Sequence, residues 1–276
     1  MSVGGHLIYQ QTNTKRITMT KTIQPELTLV GAGIGDPDLI TVKGMKALRR
    51  ADVVLYDALV SEELLEYAPQ AKKVYVGKRV DQHSFKQEEI NRLIVSHAMG
   101  GGHVVRLKGG DPYVFGRGHE EMLYAQKHGI RVNLVPGISS SVAAPALQGI
   151  PVTRRGDSQS FWVITGTTKE GDVSKDIALA AQSSATVIIL MGTKKIDQIM
   201  DSFKTAGKEN TPVAIIQNAS TPEERIGIGH VHDIADIMRR DNLGSPAVIV
   251  VGDVVRHHAK YPNRLSDVVV NATVNA

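Results

Sequence analysis

The 276-residue chain contains no cysteine. Disulfides, thiolate metal sites and cysteine nucleophiles are therefore excluded, and a reducing cytoplasm is the expected compartment. No apolar run approaches the roughly 20 residues that span a bilayer, so no membrane partner is expected. Lysine and arginine are scattered without a long basic run, which argues against a nucleic-acid binder. No Gly-Lys-Ser/Thr sequence follows either glycine-rich turn, so a P-loop is excluded. His119-Glu120 lacks the second histidine of a zinc helix, because Leu123 stands where it would fall, and no metal is expected.

What is present fits a chain that folds into α/β domains with a substantial core. Hydrophobic residues make up 42% of the chain, and its length suffices for two ordinary domains or one large one, while the net charge of +4 suits a polyanionic small molecule. Residues 1–25 are polar and lack the apolar stretch of a secretory signal, so they read as a loose extension in which Met19 is an alternative start. From Glu26 onward, short β-branched runs alternate with amphipathic segments. Strands are expected at 27–30, 53–56, 74–76, 104–107 and 132–135, and helices at 39–50, 62–67, 87–99, 119–128 and 139–148. Ser84 and Gln87 have the spacing of a capping box. The segment GIPVTRRGDSQS reads as a boundary, followed by strands at 161–164, 187–191, 213–217 and 247–251 and helices near 176–181, 196–206 and 233–240. Two tandem α/β domains, 26–150 and 151–260, with a ligand cleft between them and a tail at 261–276, are the expectation.

Two glycine loops sit where strands end, which is where open α/β sheets bind ligands. VGAGIGD (30–36) follows the first strand. It is not a dinucleotide fingerprint, because its third glycine comes one position early and Asp36-Pro37 interrupts the helix start. The second loop, LKGGDPYVFGRGHEE (107–121), exposes backbone at Gly109 and Gly110, offers the Asp111 carboxylate and presents Arg117 between two glycines.

Taken in order, VGAGIGDPDLITVKGMKALRRADVVLYDALV, VGKR, RLKGGDPYVFGRGHEE, VPGISS, GIPVTRR and ILMG resemble the tetrapyrrole methylase family over about 27–255, and within it the branch that acts on uroporphyrinogen III. The resemblance implies an S-adenosylmethionine-dependent C-methylation giving precorrin-2, two methyl transfers, on the way to sirohaem or cobalamin, by a homodimer. It implies that the methyl donor is gripped by Gly109, Gly110 and Asp111 with Val114 alongside, by Ser139 and Ser140, and by an adenine pocket of Met191, Ala219 and Ala247. Ile34 of the first loop belongs to the same set, in a position where the family usually has proline; His119 stands where it usually has glycine. Asp57 matches a position proposed as proton acceptor and Lys78 a proposed donor, while orientation of the ligand by Asp57 and binding of a substrate carboxylate by Lys78 fit equally well. Arg117, Arg154 and Arg155 are the expected carboxylate-binding residues, with Lys108 at the same rim, Arg79 behind them and Glu120 orienting Arg117 or the pyrrole N–H groups.

Overall fold

The structure, a computed structural model, describes residues 24–77 and 85–261. The expected extension up to residue 23, the tail from 262 and the Ser84 capping position lie outside the described residues.

The first half is a five-stranded parallel sheet with helices on both faces. Its strands are β1 (Glu26–Gly31), β2 (Val53–Tyr56), β3 (Lys72–Tyr75), β4 (His103–Lys108) and β5 (Arg131–Val135), in the spatial order β3-β2-β4-β1-β5. Central strands buried on both sides need near-continuous apolar runs, as in LTLV and VVRL, whereas the edge strand β5 alternates exposed and half-buried residues. Helix α1 (Val42–Leu48) packs Ala47 and Leu48 on one face against Val30, Val54 and Val105. Helices α2 (Gln87–Met99) and α3 (Gly118–Lys127) pack Ile90, Ile94 and Ala125 on the other, against Leu27, Leu29 and Leu55.

The helix expected over 39–50 is shorter. Asp36 caps a separate 3-10 turn at Pro37–Leu39, and Thr41 then starts α1 by accepting the Gly44 N–H at 3.0 Å. The 62–67 segment is likewise a 3-10 helix. At the start of α2, the Lys86 N–H donates to the Glu89 carboxylate at 2.6 Å, so the acid three residues into the helix satisfies the free backbone donor.

The second sheet holds β6 (Phe161–Thr165), β7 (Thr186–Leu190), β8 (Pro212–Gln217), β9 (Arg225–His230) and β10 (Ala247–Val251), ordered β6-β7-β10-β8-β9. It is mixed: β6 and β7 are parallel, while β10 runs antiparallel to both of its neighbours. Helices α5 (Asp176–Gln182), α6 (Ile196–Thr205) and α7 (Ile234–Arg240) cover one face through Ile177, Ile199, Phe203 and Ile234. Helix α4 (Ser140–Leu147) lies on the other face, where Ala144 and Ile150 join Ile188, Ile216 and Val250, and where Ile34 and Val114 of the first half also pack. The two halves are thus joined by an apolar layer to which the first contributes Ile34 and Val114 from its loops.

Strand β9 was not expected from the sequence. Its RIGIGH alternation sends Ile226 and Ile228 toward the joining layer and leaves Gly227 and Gly229 under α7; a Cβ on Gly229 would lie 2.5 Å from Ile237 Cδ1. The two glycines are the clearance for a helix.

Candidate active-site cleft

The chain leaves β1 toward β2 and leaves β4 toward β5, in opposite directions, although β1 and β4 are neighbours. A crevice must open outside their carboxyl ends, and both glycine loops emerge there. The loops are stitched together: the Gly110 N–H donates to the Gly33 carbonyl at 2.6 Å, the Gly33 N–H returns to Gly110 O at 3.3 Å, and the Ala32 N–H reaches Lys108 O at 2.8 Å. Asp111 carries the bracing one strand further. Its Oδ2 accepts the Gly137 N–H at 2.9 Å and its Oδ1 the Tyr113 N–H at 2.8 Å.

Gly31, Gly110 and Gly137 meet backbone to backbone. A Cβ on Gly137 would fall 2.3 Å from Gly110 O and 2.6 Å from Gly31 Cα. Neither backbone can yield without moving a strand end, so Gly137→Ala should separate the loops. We expect at least a tenfold loss of S-adenosylhomocysteine affinity, about 1.4 kcal/mol, measured by calorimetry; unchanged affinity would show that this contact does not shape the cleft.

The opposite wall comes from the second sheet. Leu190 ends β7 and Met191 follows it, and Asn218, Ala219 and Ser220 follow β8. Because β10 is antiparallel, it is the beginning of that strand, Ser245 to Val248, that reaches the cleft. The Asn218 N–H donates to Pro246 O at 3.1 Å, and the Asp36 N–H crosses between the halves to Ser220 Oγ at 3.0 Å. The space enclosed is about 1030 Å³, at the upper end of the ~300–1,000 Å³ usual for one small-molecule site.

Backbone strain gathers here. Among the described residues six non-glycines have positive φ, and five of them, Phe115, Arg117, Met191, Asn218 and Ser220, line the cleft. Left-handed backbone at such residues persists only where the surroundings enforce it, and it clusters at ligand sites.

All ten residues expected for the methyl donor, Ile34, Gly109, Gly110, Asp111, Val114, Ser139, Ser140, Met191, Ala219 and Ala247, line this one cleft, as do Asp57, Lys108 and Arg117. Exposed main chain at the glycine loops and small or flexible apolar side chains at Met191, Ala219 and Ala247 suit a ligand with an uncharged adenine and a sulfonium, which is recognised by shape and carbonyl acceptors. Arg117 pairs with Glu120 through Nε (3.0 Å) and a terminal nitrogen (2.6 Å), and this bond raises the Arg117 pKa and lowers that of Glu120. Glu120 itself does not line the cleft; it pairs with the arginine fork. Arg154 and Arg155 lie off the cleft and exposed, Arg154 paired with Asp157 at 3.2 Å. Lys78 and Arg79 lie outside the described residues.

Behind Asp57 is a buried charge network that the motifs did not signal. Arg106 donates to Asp57 Oδ2 at 3.2 Å, to the carbonyls of Leu107 and Leu55, and to Glu121 Oε1 at 3.3 Å. Lys108 and Gln87 reach the same Glu121 oxygen, each at 3.1 Å. The Leu59 N–H fixes the other Asp57 oxygen at 3.2 Å. Burial, then the Arg106 guanidinium, push the Lys108 pKa below the ordinary lysine value, against the opposing pull of Glu121. The available signal was charge at alternate positions, Arg106 and Lys108, following the apolar pair Val104 and Val105.

Residues 26–235 match the family model of Tetrapyrrole (Corrin/Porphyrin) Methylases. A uroporphyrinogen-III C-methyltransferase of Methanocaldococcus jannaschii is 48% identical over 233 residues, covering 83% of this chain and 96% of that protein. The crystal structure of uroporphyrin-III C-methyl transferase from Thermus thermophilus complexed with S-adenyl homocysteine superposes with a TM-score of 0.73 at 40% identity, over 84% of this chain and 99% of that one. A cobalt precorrin-4 methyltransferase, a cobalamin biosynthetic enzyme, superposes with a TM-score of 0.74 at 32% identity, over 83% of this chain and 95% of that one. The two sheets, the cleft at their facing strand ends and these matches agree: the chain belongs to the tetrapyrrole methylase family.

Proposed function

We propose that the protein methylates uroporphyrinogen III twice at carbon, using S-adenosylmethionine, and so forms precorrin-2 for sirohaem or cobalamin. The observation that carries the proposal is the cleft of about 1030 Å³, which gathers the residues expected for the donor together with Asp57 and Arg117. Relatives matched over 96% and 91% of their own length that bear the name of the same activity support it.

The donor supplies a methyl carbon on a sulfonium, and the acceptor is an electron-rich ring carbon. A C–C bond forms, the S–C bond breaks with its electron pair going to sulfur, and the macrocycle is left with a positive charge and a proton to lose. In this reading the glycine loops hold the donor so that carbon, methyl and sulfur lie in line; such positioning contributes about 7–11 kcal/mol. Asp57, fixed by the Leu59 N–H and Arg106, takes the proton. Arg117 binds an acetate or propionate of the substrate rim, aimed by Glu120. Lys78 completes the set as proton donor or carboxylate ligand. Action in the cytoplasm is part of the proposal and rests on the lack of cysteine. So is a homodimer; Phe161 and Trp162, exposed on the edge strand β6, support an apolar contact surface there.

The test is anaerobic incubation with uroporphyrinogen III and S-adenosylmethionine, with the product read by mass. Two added methyl groups are expected; none, or one added only to an already methylated precursor, would overturn the assignment. In the same assay Arg117→Ala should lose turnover at least about tenfold while S-adenosylhomocysteine affinity stays unchanged, and full activity would remove Arg117 from substrate binding.

A further inference from the structure

A second cluster lies outside the cleft, at the turn from β9 into α7. His230, His232 and Asp233 each offer one ligand atom within 4.8 Å of the others. From their geometry we infer that this turn binds a borderline divalent transition-metal ion, Zn²⁺ by preference, between the two imidazoles and the carboxylate.

The turn is built before any ion arrives. The His230 N–H donates to Asp233 Oδ1 at 2.7 Å, and the His232 N–H donates to the Glu209 carbonyl at 3.0 Å. The His232 ring is also fixed: its Nδ1 lies 3.0 Å from the same Glu209 carbonyl, an acceptor only, so Nδ1 carries the hydrogen. In the neutral ring Nε2 then presents a lone pair, and it faces Asp233 Oδ2 at 3.5 Å. At that separation the two lone pairs leave room for a cation between them. That spacing is close to the edge of a zinc tetrahedron with bonds of roughly 2.0–2.1 Å. A ring held by N–H donation to a backbone carbonyl while its second nitrogen binds metal is the usual outer-shell arrangement.

His230 Nε2 lies 2.9 Å from the Tyr261 hydroxyl, and the tautomer in which that nitrogen donates to the hydroxyl oxygen leaves Nδ1 as the lone-pair donor. The two rings stack, 5.3 Å apart and 10° from parallel. Two imidazoles with one carboxylate favour zinc or its transition-series neighbours over magnesium or calcium, which take oxygen ligands. Three protein ligands leave a fourth position for water. The ion would clamp the end of β9 and the start of α7 to the Glu209 loop, away from every residue assigned to methyl transfer.

The test uses the full, tag-free chain after chelator treatment, titrated with Zn²⁺ in a calorimeter and with Co²⁺ for the visible spectrum of a tetrahedral site. One saturable ion per chain and a rise in melting temperature with zinc are expected. His232→Ala, at an exposed ring, should abolish both, and Tyr261→Phe should weaken binding by roughly tenfold. Methyl transfer should be the same in His232→Ala as in the parent. Absence of saturable binding, or binding undiminished in a folded His232→Ala, would show instead a protonated His232 paired with Asp233 and overturn the proposal.

Discussion

Asp57→Asn should lower methyl transfer by about a hundredfold or more, the scale of a lost general base, with S-adenosylhomocysteine affinity preserved within a few-fold. Asparagine keeps the shape of the side chain and can still accept the Leu59 N–H. It cannot take a proton from the macrocycle, and if its amide faces Arg106 two donors oppose each other where a carboxylate now sits at 3.2 Å. The fold should survive, because Arg106 keeps Glu121 and two backbone carbonyls. The Asp57 side chain, 25% exposed, reaches the cleft with its remaining lone pairs. Single-turnover kinetics separate the roles: loss of the base slows chemistry at saturating substrate, whereas loss of an orienting group would appear mainly in substrate affinity. A variant that turns over within threefold of the parent would end the assignment.

Glu121→Gln should have the largest effect on stability, about 3–5 kcal/mol, the usual result of removing one partner from a buried ion pair. The Glu121 side chain is fully buried, and its Oε1 collects Arg106, Lys108 and Gln87, while Oε2 has no hydrogen-bond partner. Without its charge, two buried cations share only Asp57. Lys108 is the group that can yield: its pKa is already lowered by burial and by Arg106, and Glu121 is what opposes the fall. The unfolded chain then binds more protons than the folded one between Lys108's lowered value and the ordinary 10.5. Stability of the variant should therefore rise with pH across that window, more steeply than in the parent. Denaturant unfolding at neutral and alkaline pH measures both quantities. A loss below about 1 kcal/mol, near the value of an exposed pair, would mean that the network is not held together by charge.

Local chemistry was legible in the sequence and partnership across the fold was not. The glycine loops could be read because close backbone approach leaves few residue choices, and their place at strand ends followed from the β-branched runs before them. The positions expected to line the adenine, Met191, Ala219 and Ala247, came from resemblance alone. The direction of β10 is not encoded in AVIVV, so the sequence could not tell that Ala247 reaches the cleft from a strand's beginning. Strand β9 escaped because Gly227 and Gly229 serve α7. The pairs Arg106–Asp57 and Arg106–Glu121 join residues 49 and 15 positions apart, and only the fold brings them together. Arg154 and Arg155 drew notice by charge and by resemblance; they are not among the residues lining the cleft, and Asp157 holds Arg154 and lies 2.5 Å from His257.

The central claim is that facing strand ends of two sheets form one cavity that presents a methyl group to a macrocycle beside Asp57. A crystal structure of the protein with S-adenosylhomocysteine tests it most directly. The account requires the adenine against Met191, Ala219 and Ala247, the amino-acid end on the Gly109–Asp111 loop, and the sulfur turned toward Asp57 and Arg117. Ligand bound elsewhere, or with its sulfur facing away from Asp57, would contradict it.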